Sequence, residues 1–105
     1  MRIEVFYIDG CPNHEPTVER VKAMLKDLGV AGELVESAVN DPATVSALRF
    51  LGSPTVQING LDIEPSARYR TPFGMMCRTY EGSGGVPCED LIRSAIAEAQ
   101  RTSRW

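Results

Sequence analysis

A chain of 105 residues, 43% hydrophobic and 24% charged, is sized for one soluble domain with a single core. Its net charge of −3, with eleven Lys and Arg scattered along the chain, argues against a nucleic-acid partner. No apolar run approaches the ~20 residues needed to cross a bilayer, which argues against a membrane role. Met1-Arg2 leads straight into a strand pattern with no signal-peptide core, so the expected compartment is the cytoplasm. Three irregularly spaced cysteines do not form a disulfide framework, and in that compartment they are expected reduced.

Ile3 to Ile8, rich in β-branched and aromatic residues, reads as a buried strand. Val18, Val21, Met24, Leu25 and Leu28 recur at helical spacing from Pro16, and Gly29 ends that helix. Glu33 to Val39 reads as a second strand. Asp41 and Pro42 form an N-cap and first position for a helix that buries Val45, Leu48 and Leu51 and stops at Gly52. Thr55 to Ile58 and Leu61 to Ile63 flank Asn59-Gly60, a strong two-residue hairpin signal. Periodicity is lost from Glu64 to Gly85, a length that in a small domain marks either a functional segment or structure that the pattern hides. A last helix starts near Pro87 with Glu89 and Asp90 in its first turn, and buries Leu91, Ile92, Ala95, Ile96 and Ala99. The expected order is β-α-β-α-β-β-α, an α/β domain over residues 1–100 with a mixed four-stranded sheet flanked by helices. Residues 101–105 are expected to be a frayed tail.

Cys11-Pro12-Asn13-His14 lies at the first strand-to-helix turn, where free backbone N–H groups and the helix dipole favour a thiolate. Cys11 is therefore a candidate nucleophile toward a disulfide, its alternative role being a small filler at a turn. Pro12 suits a first helical turn, where no N–H is missed. His14 can pair with a thiolate or donate a proton to a leaving thiol, but cannot resolve a mixed disulfide; it can also be a plain exposed residue. Cys11 and His14 alone are two ligands, short of the four usual for zinc.

Cys77, in Met75-Met76-Cys77-Arg78-Thr79-Tyr80, is a candidate resolving thiol if that segment folds back over the first helix start. With a methionine it also suits soft ions, and it can equally be a buried core cysteine. Cys88 follows Pro87 at the last helix start and is a weaker competitor. Arg68, Arg70 and Arg78 are candidates for steering an acidic ligand, unless they are simply solvated.

With Cys11 at the first turn and Ser53-Pro54-Thr55 opening the third strand, the chain resembles the thioredoxin-like superfamily from Ile3 to about Ala99. It looks closest to small bacterial thioredoxin-domain proteins sharing Gly-Cys-Pro, Gly-Ser-Pro-Thr and Cys-Arg-x-Tyr, some of which carry mercury-related names. The resemblance implies a cis Pro54 lying against Cys11. It also implies substrate binding by Pro12, Ser53 and Thr55, with the Ser53 backbone bonding a peptide or glutathione. His14 stands where the redox members keep a second cysteine. The expectation is a thiol–disulfide oxidoreductase-like protein using Cys11, His14, Pro54 and Cys77 on a thiol or disulfide substrate, without cofactor. The alternatives are Hg(II) or Cu(I) binding by Cys11 and Cys77, and a thioredoxin-like binding module without turnover.

Overall fold

The computed structural model describes residues 1–71, 73–80 and 83–102. Its elements are β1 (Arg2–Tyr7), α1 (His14–Leu28), β2 (Glu33–Ala38), α2 (Pro42–Ala47), β3 (Thr55–Ile58), β4 (Leu61–Asp62), a 3-10 turn at Pro65–Ala67, and α3 (Glu89–Thr102). They build one mixed sheet in the order β2-β1-β3-β4. β1 runs parallel to β2, and the return between them is made by α1. β3 is antiparallel to β1, with Val5 opposite Val56 and Ile3 opposite Ile58, and β4 is antiparallel to β3.

The two faces of the sheet follow from strand alternation. Ile3, Val5, Val56 and Ile58 point to one side and pack with Val18, Val21 and Met24 of α1 and Ile92, Ala95, Ile96 and Ala99 of α3. Phe6 points to the other side, into a smaller cluster with Val39, Val45 and Phe50. The expected apolar faces of α1 and α3 thus face the core, with Leu25 and Leu91 partly buried at its rim and Leu28, in the last turn of α1, exposed.

The turn chemistry is local. Gly29 adopts φ 64°, and the N–H groups of Gly29 and Val30 donate to Lys26 O and Leu25 O, closing α1. Asn59 (φ 51°) and Gly60 (φ 85°) both take the left-handed conformation that a tight hairpin demands. At the start of α2 the Asp41 carboxylate accepts from Thr44 N at 2.9 Å, and this backbone bond holds its pKa below the ordinary carboxylate value.

Several expected boundaries move, that of α2 most. α2 ends at Ala47, well short of Gly52, because Arg49 takes φ 55° and Phe50 N donates to Val45 O. Arg49 accepts that unfavourable backbone while its side chain donates to Arg68 O at 2.7 Å and lies 4.9 Å over the Phe73 ring. α3 runs on to Thr102, through the start of the expected tail, and residues 103–105 lie outside the described ones. Among the described residues no helix is long and apolar enough to cross a membrane.

Candidate functional site

At its N-terminal end β3 begins at the turn Gly52-Ser53-Pro54, where the Ser53–Pro54 bond is cis. β1 is antiparallel to β3, so its C-terminal end, and the Cys11 turn beyond it, lie at the same end of the sheet. Ser53 joins the two directly, for its Oγ accepts from Ile8 N at 3.0 Å. Cys11 N donates in turn to Ile8 O at 3.0 Å. Cys11 is half-buried and sits two residues before the Asn13 N-cap of α1, with His14 N donating to its carbonyl at 3.3 Å.

Met76 to Tyr80 form a strap across the same turn. Ser53 and Cys77 make an isolated parallel β-bridge. Ser53 N donates to Met76 O at 2.7 Å, and Arg78 N donates to Ser53 O at 3.0 Å. Burial alternates along the strap, with Arg78 and Tyr80 inside and Cys77 and Thr79 outside. Tyr80 OH donates to Pro54 O at 2.6 Å, so the strap also holds the cis proline. Gly52 adopts φ 126°, and a methyl group there would fall 2.9 Å from Arg78 Cβ and 3.0 Å from Met76 O. Only glycine leaves the strap room to seat. The segment then returns along α1, where Gly85 abuts the Asn13 side-chain amide.

Arg78 anchors the strap in the interior. Only 3% exposed, it donates to Asp62 Oδ2 at 2.6 Å, Asp62 Oδ1 at 2.8 Å and Glu64 Oε1 at 3.2 Å, and lies 4.2 Å over the Tyr80 ring. Burial pulls its pKa down, but the Asp62 hydrogen bonds, with help from Tyr80 and Glu64, hold the guanidinium above its ordinary value. Burial pushes the Tyr80 phenol up, and the neighbouring Arg78 charge offsets only part of that. Both groups therefore keep their protons while folded.

His14 is engaged on the other side of the turn. Its ring stacks on Tyr7 at 3.6 Å between centroids and 7° between planes, and its Nε2 is 2.7 Å from Glu36 Oε1. The three candidate arginines spend their charge inside the chain. Arg68 forms a two-pronged pair with Glu98, Arg70 approaches Glu64 at 3.6 Å, and Arg78 is buried as described. Arg78 is closed to an acidic ligand and Arg68 is largely engaged, while Arg70 keeps an exposed side chain.

Of the sequence-stated site residues, Cys11, Pro54, Ser53, Thr55 and Cys77 thus gather around one turn. Thr55 is buried and its Oγ1 donates to Gly52 O at 2.6 Å, a use within the turn itself; Pro12, next to Cys11, is exposed. Ser53 departs from its expected role, since the chain already occupies both its N–H and its carbonyl. All three cysteines are free thiols. Cys88 caps α3 by accepting from Ile92 N, and lines a shallow cleft with Glu64, Pro65 and Ser66. Asp62 and Glu64 build the site without having been singled out, while Gly52, Arg78 and Tyr80, quoted within the shared motifs, do structural work there that the sequence did not assign. The sequence signals for the strap were the Cys77-Arg78-x-Tyr80 motif and the expectation that its segment can fold back over the first helix start. Among the described residues no three His, Cys, Asp or Glu side chains come together as a metal cluster. Comparison with known proteins finds no matching family model, no matching curated protein and no matching solved structure.

Proposed function

We propose that this is a thioredoxin-like protein whose Cys11 carries out thiol–disulfide exchange, with Cys77 as the second thiol. The observation that carries the reading is the bonding of Ser53, which accepts from Ile8 on the Cys11 side and pairs with Met76 and Arg78 on either side of Cys77. The strand order β2-β1-β3-β4, with β1 parallel to β2 and a cis proline before the antiparallel β3, supports the fold assignment. Three free thiols suit a reducing compartment such as the cytoplasm.

In the reaction, the Cys11 thiolate attacks one sulfur of a disulfide R–S–S–R′, forming Cys11–S–S–R and releasing R′S⁻, which takes a proton from water. The Cys77 thiolate then attacks the Cys11 sulfur, releasing RS⁻ and leaving a Cys11–Cys77 disulfide. The substrate gains two electrons and the protein loses two; an external thiol of the medium restores the dithiol. His14, held by Tyr7 and Glu36, fixes the first turn of α1 against β1 and β2.

Turnover of hydroxyethyl disulfide by the protein, with dithiothreitol as reductant, tests this. Cys11→Ser is expected to fall to the uncatalysed rate, while Cys77→Ser accumulates a Cys11 mixed disulfide visible by mass. Full activity in Cys11→Ser sinks the proposal. A second reading, two-coordinate Hg(II) or Cu(I) binding by Cys11 and Cys77, draws on the exposed Met75-Met76-Cys77 run of soft sulfur donors. It calls for stoichiometric metal uptake without disulfide turnover.

A further inference from the structure

We infer that this site accepts low-molecular-weight disulfides and is closed to extended polypeptide segments, because the chain's own strap fills the strand-pairing position beside Cys11. The inference rests on the reading of Cys11 as an exchanging thiol and narrows its substrate class.

A polypeptide gains affinity at a sheet by adding a strand, which requires unpaired backbone N–H and carbonyl groups. β1 has none to offer at its Cys11 end: pairing with β3 stops at Phe6, but the Tyr7 carbonyl accepts from Val39 N, and Ile8 donates to Ser53 Oγ and accepts from Cys11 N. Next to β1 at the turn stand the N–H and carbonyl of Ser53. Both are consumed, its N–H by Met76 O and its carbonyl by Arg78 N.

The strap is not a casual occupant. Arg78 is locked to two buried carboxylates and Tyr80 to the Pro54 carbonyl. Gly52 has no Cβ where a Cβ would collide with Arg78 and Met76. An incoming strand would have to break all of these before making its own bonds. A small disulfide makes no such demand, as it needs only a sulfur brought in line with the Cys11 thiolate. Beside Cys77 it also meets the half-exposed side chains of Met75 and Met76, apolar and polarizable, which suit a short alkyl disulfide.

The test compares hydroxyethyl disulfide with the interchain disulfides of insulin, both with dithiothreitol as reductant and both expressed as acceleration over the uncatalysed rate. The full chain is expected to favour hydroxyethyl disulfide by about 30-fold, the worth of the two main-chain hydrogen bonds a docked strand would forfeit. Tyr80→Phe, which frees the strap from Pro54 O, is expected to narrow that ratio several-fold. Gly52→Ala, which pushes the strap off sterically, is expected to narrow it too, with strap release read independently as faster hydrogen exchange of the Arg78 amide. Equal acceleration of both substrates by the unaltered protein overturns the inference while leaving Cys11 chemistry intact. So does an unchanged ratio in variants whose Arg78 amide exchanges faster. Acceleration of neither substrate removes the reading of Cys11, and this inference with it.

Discussion

The two thiols proposed to work together are positioned by opposite means. Around Cys11 the bonds are short in sequence: its N–H reaches Ile8 and its carbonyl accepts from His14. The strap that carries Cys77 depends on partners far along the chain, with Arg78 bonding Asp62 across 16 residues and Tyr80 bonding Pro54 across 26. The Cys11 turn takes its shape from β1 and α1, with single outside bonds to Ser53 Oγ and Glu36, whereas the strap needs β3, β4 and the cis turn already assembled. One neighbourhood is set by local geometry and tolerates single losses. The other is a keystone of buried charge, and losing one anchor disturbs everything seated on it.

Arg78→Met gives the largest test of that contrast. Removing Arg78 from the buried ion cluster takes the paired charge away from the Asp62 carboxylate, at a cost of about 3–5 kcal/mol. A domain of this size holds only about 5–15 kcal/mol in total, so urea unfolding should show a variant close to collapse. Asp62→Leu added to Arg78→Met is expected to recover part of the loss. A loss under about 1 kcal/mol in the single variant would mean the strap is not keyed by charge at all.

Tyr80→Phe comes next, with about 1 kcal/mol lost at neutral pH for the bond to Pro54 O. Its pH dependence sharpens the comparison. The folded phenol is held above its ordinary value of 10.0, so its contribution is complete below that pH. It is lost as pH rises further, because the unfolded chain gives up the proton while the folded one keeps it. From about pH 10 upward the unaltered protein should lose stability faster than Tyr80→Phe. Parallel curves would show the phenol is not confined as described.

The smallest effect belongs to the Cys11 side. His14→Ala removes a half-exposed pair with Glu36 and the stack on Tyr7, worth together about 0.5–1 kcal/mol. Chemical denaturation measures it. A loss above about 2 kcal/mol would show that the turn leans on long-range support after all.

The same contrast explains what could be read in the amino-acid order. Helix faces such as Val18-Val21-Met24 and Ile92-Ala95-Ile96-Ala99, and the Asn59-Gly60 hairpin, rest on local periods and turn residues, so they were legible. So was the cis Pro54, through the resemblance. The strap was not. Its inward positions are Arg78 and Tyr80, so the alternation that marks a strand was written in polar letters, and the partners that permit their burial lie in β4 and beyond. Gly52 was read as a helix stop because glycine serves both uses; its actual work is to let another segment pass. Arg49 ended α2 in a backbone conformation that sequence assigns to glycine or asparagine.

The order β2-β1-β3-β4 has a further consequence at its outer rim. β4 is two residues long, but β2 offers six along an open edge, a ready template for a strand from another molecule. Glu33 and Glu36 sit on that strand, one paired with Arg2 and the other with His14. Each partner fixes a carboxylate at the border, where a second chain trying to align would have to strip it of water. The contact that orients the first turn of α1 thus also guards the sheet against growing sideways into an aggregate.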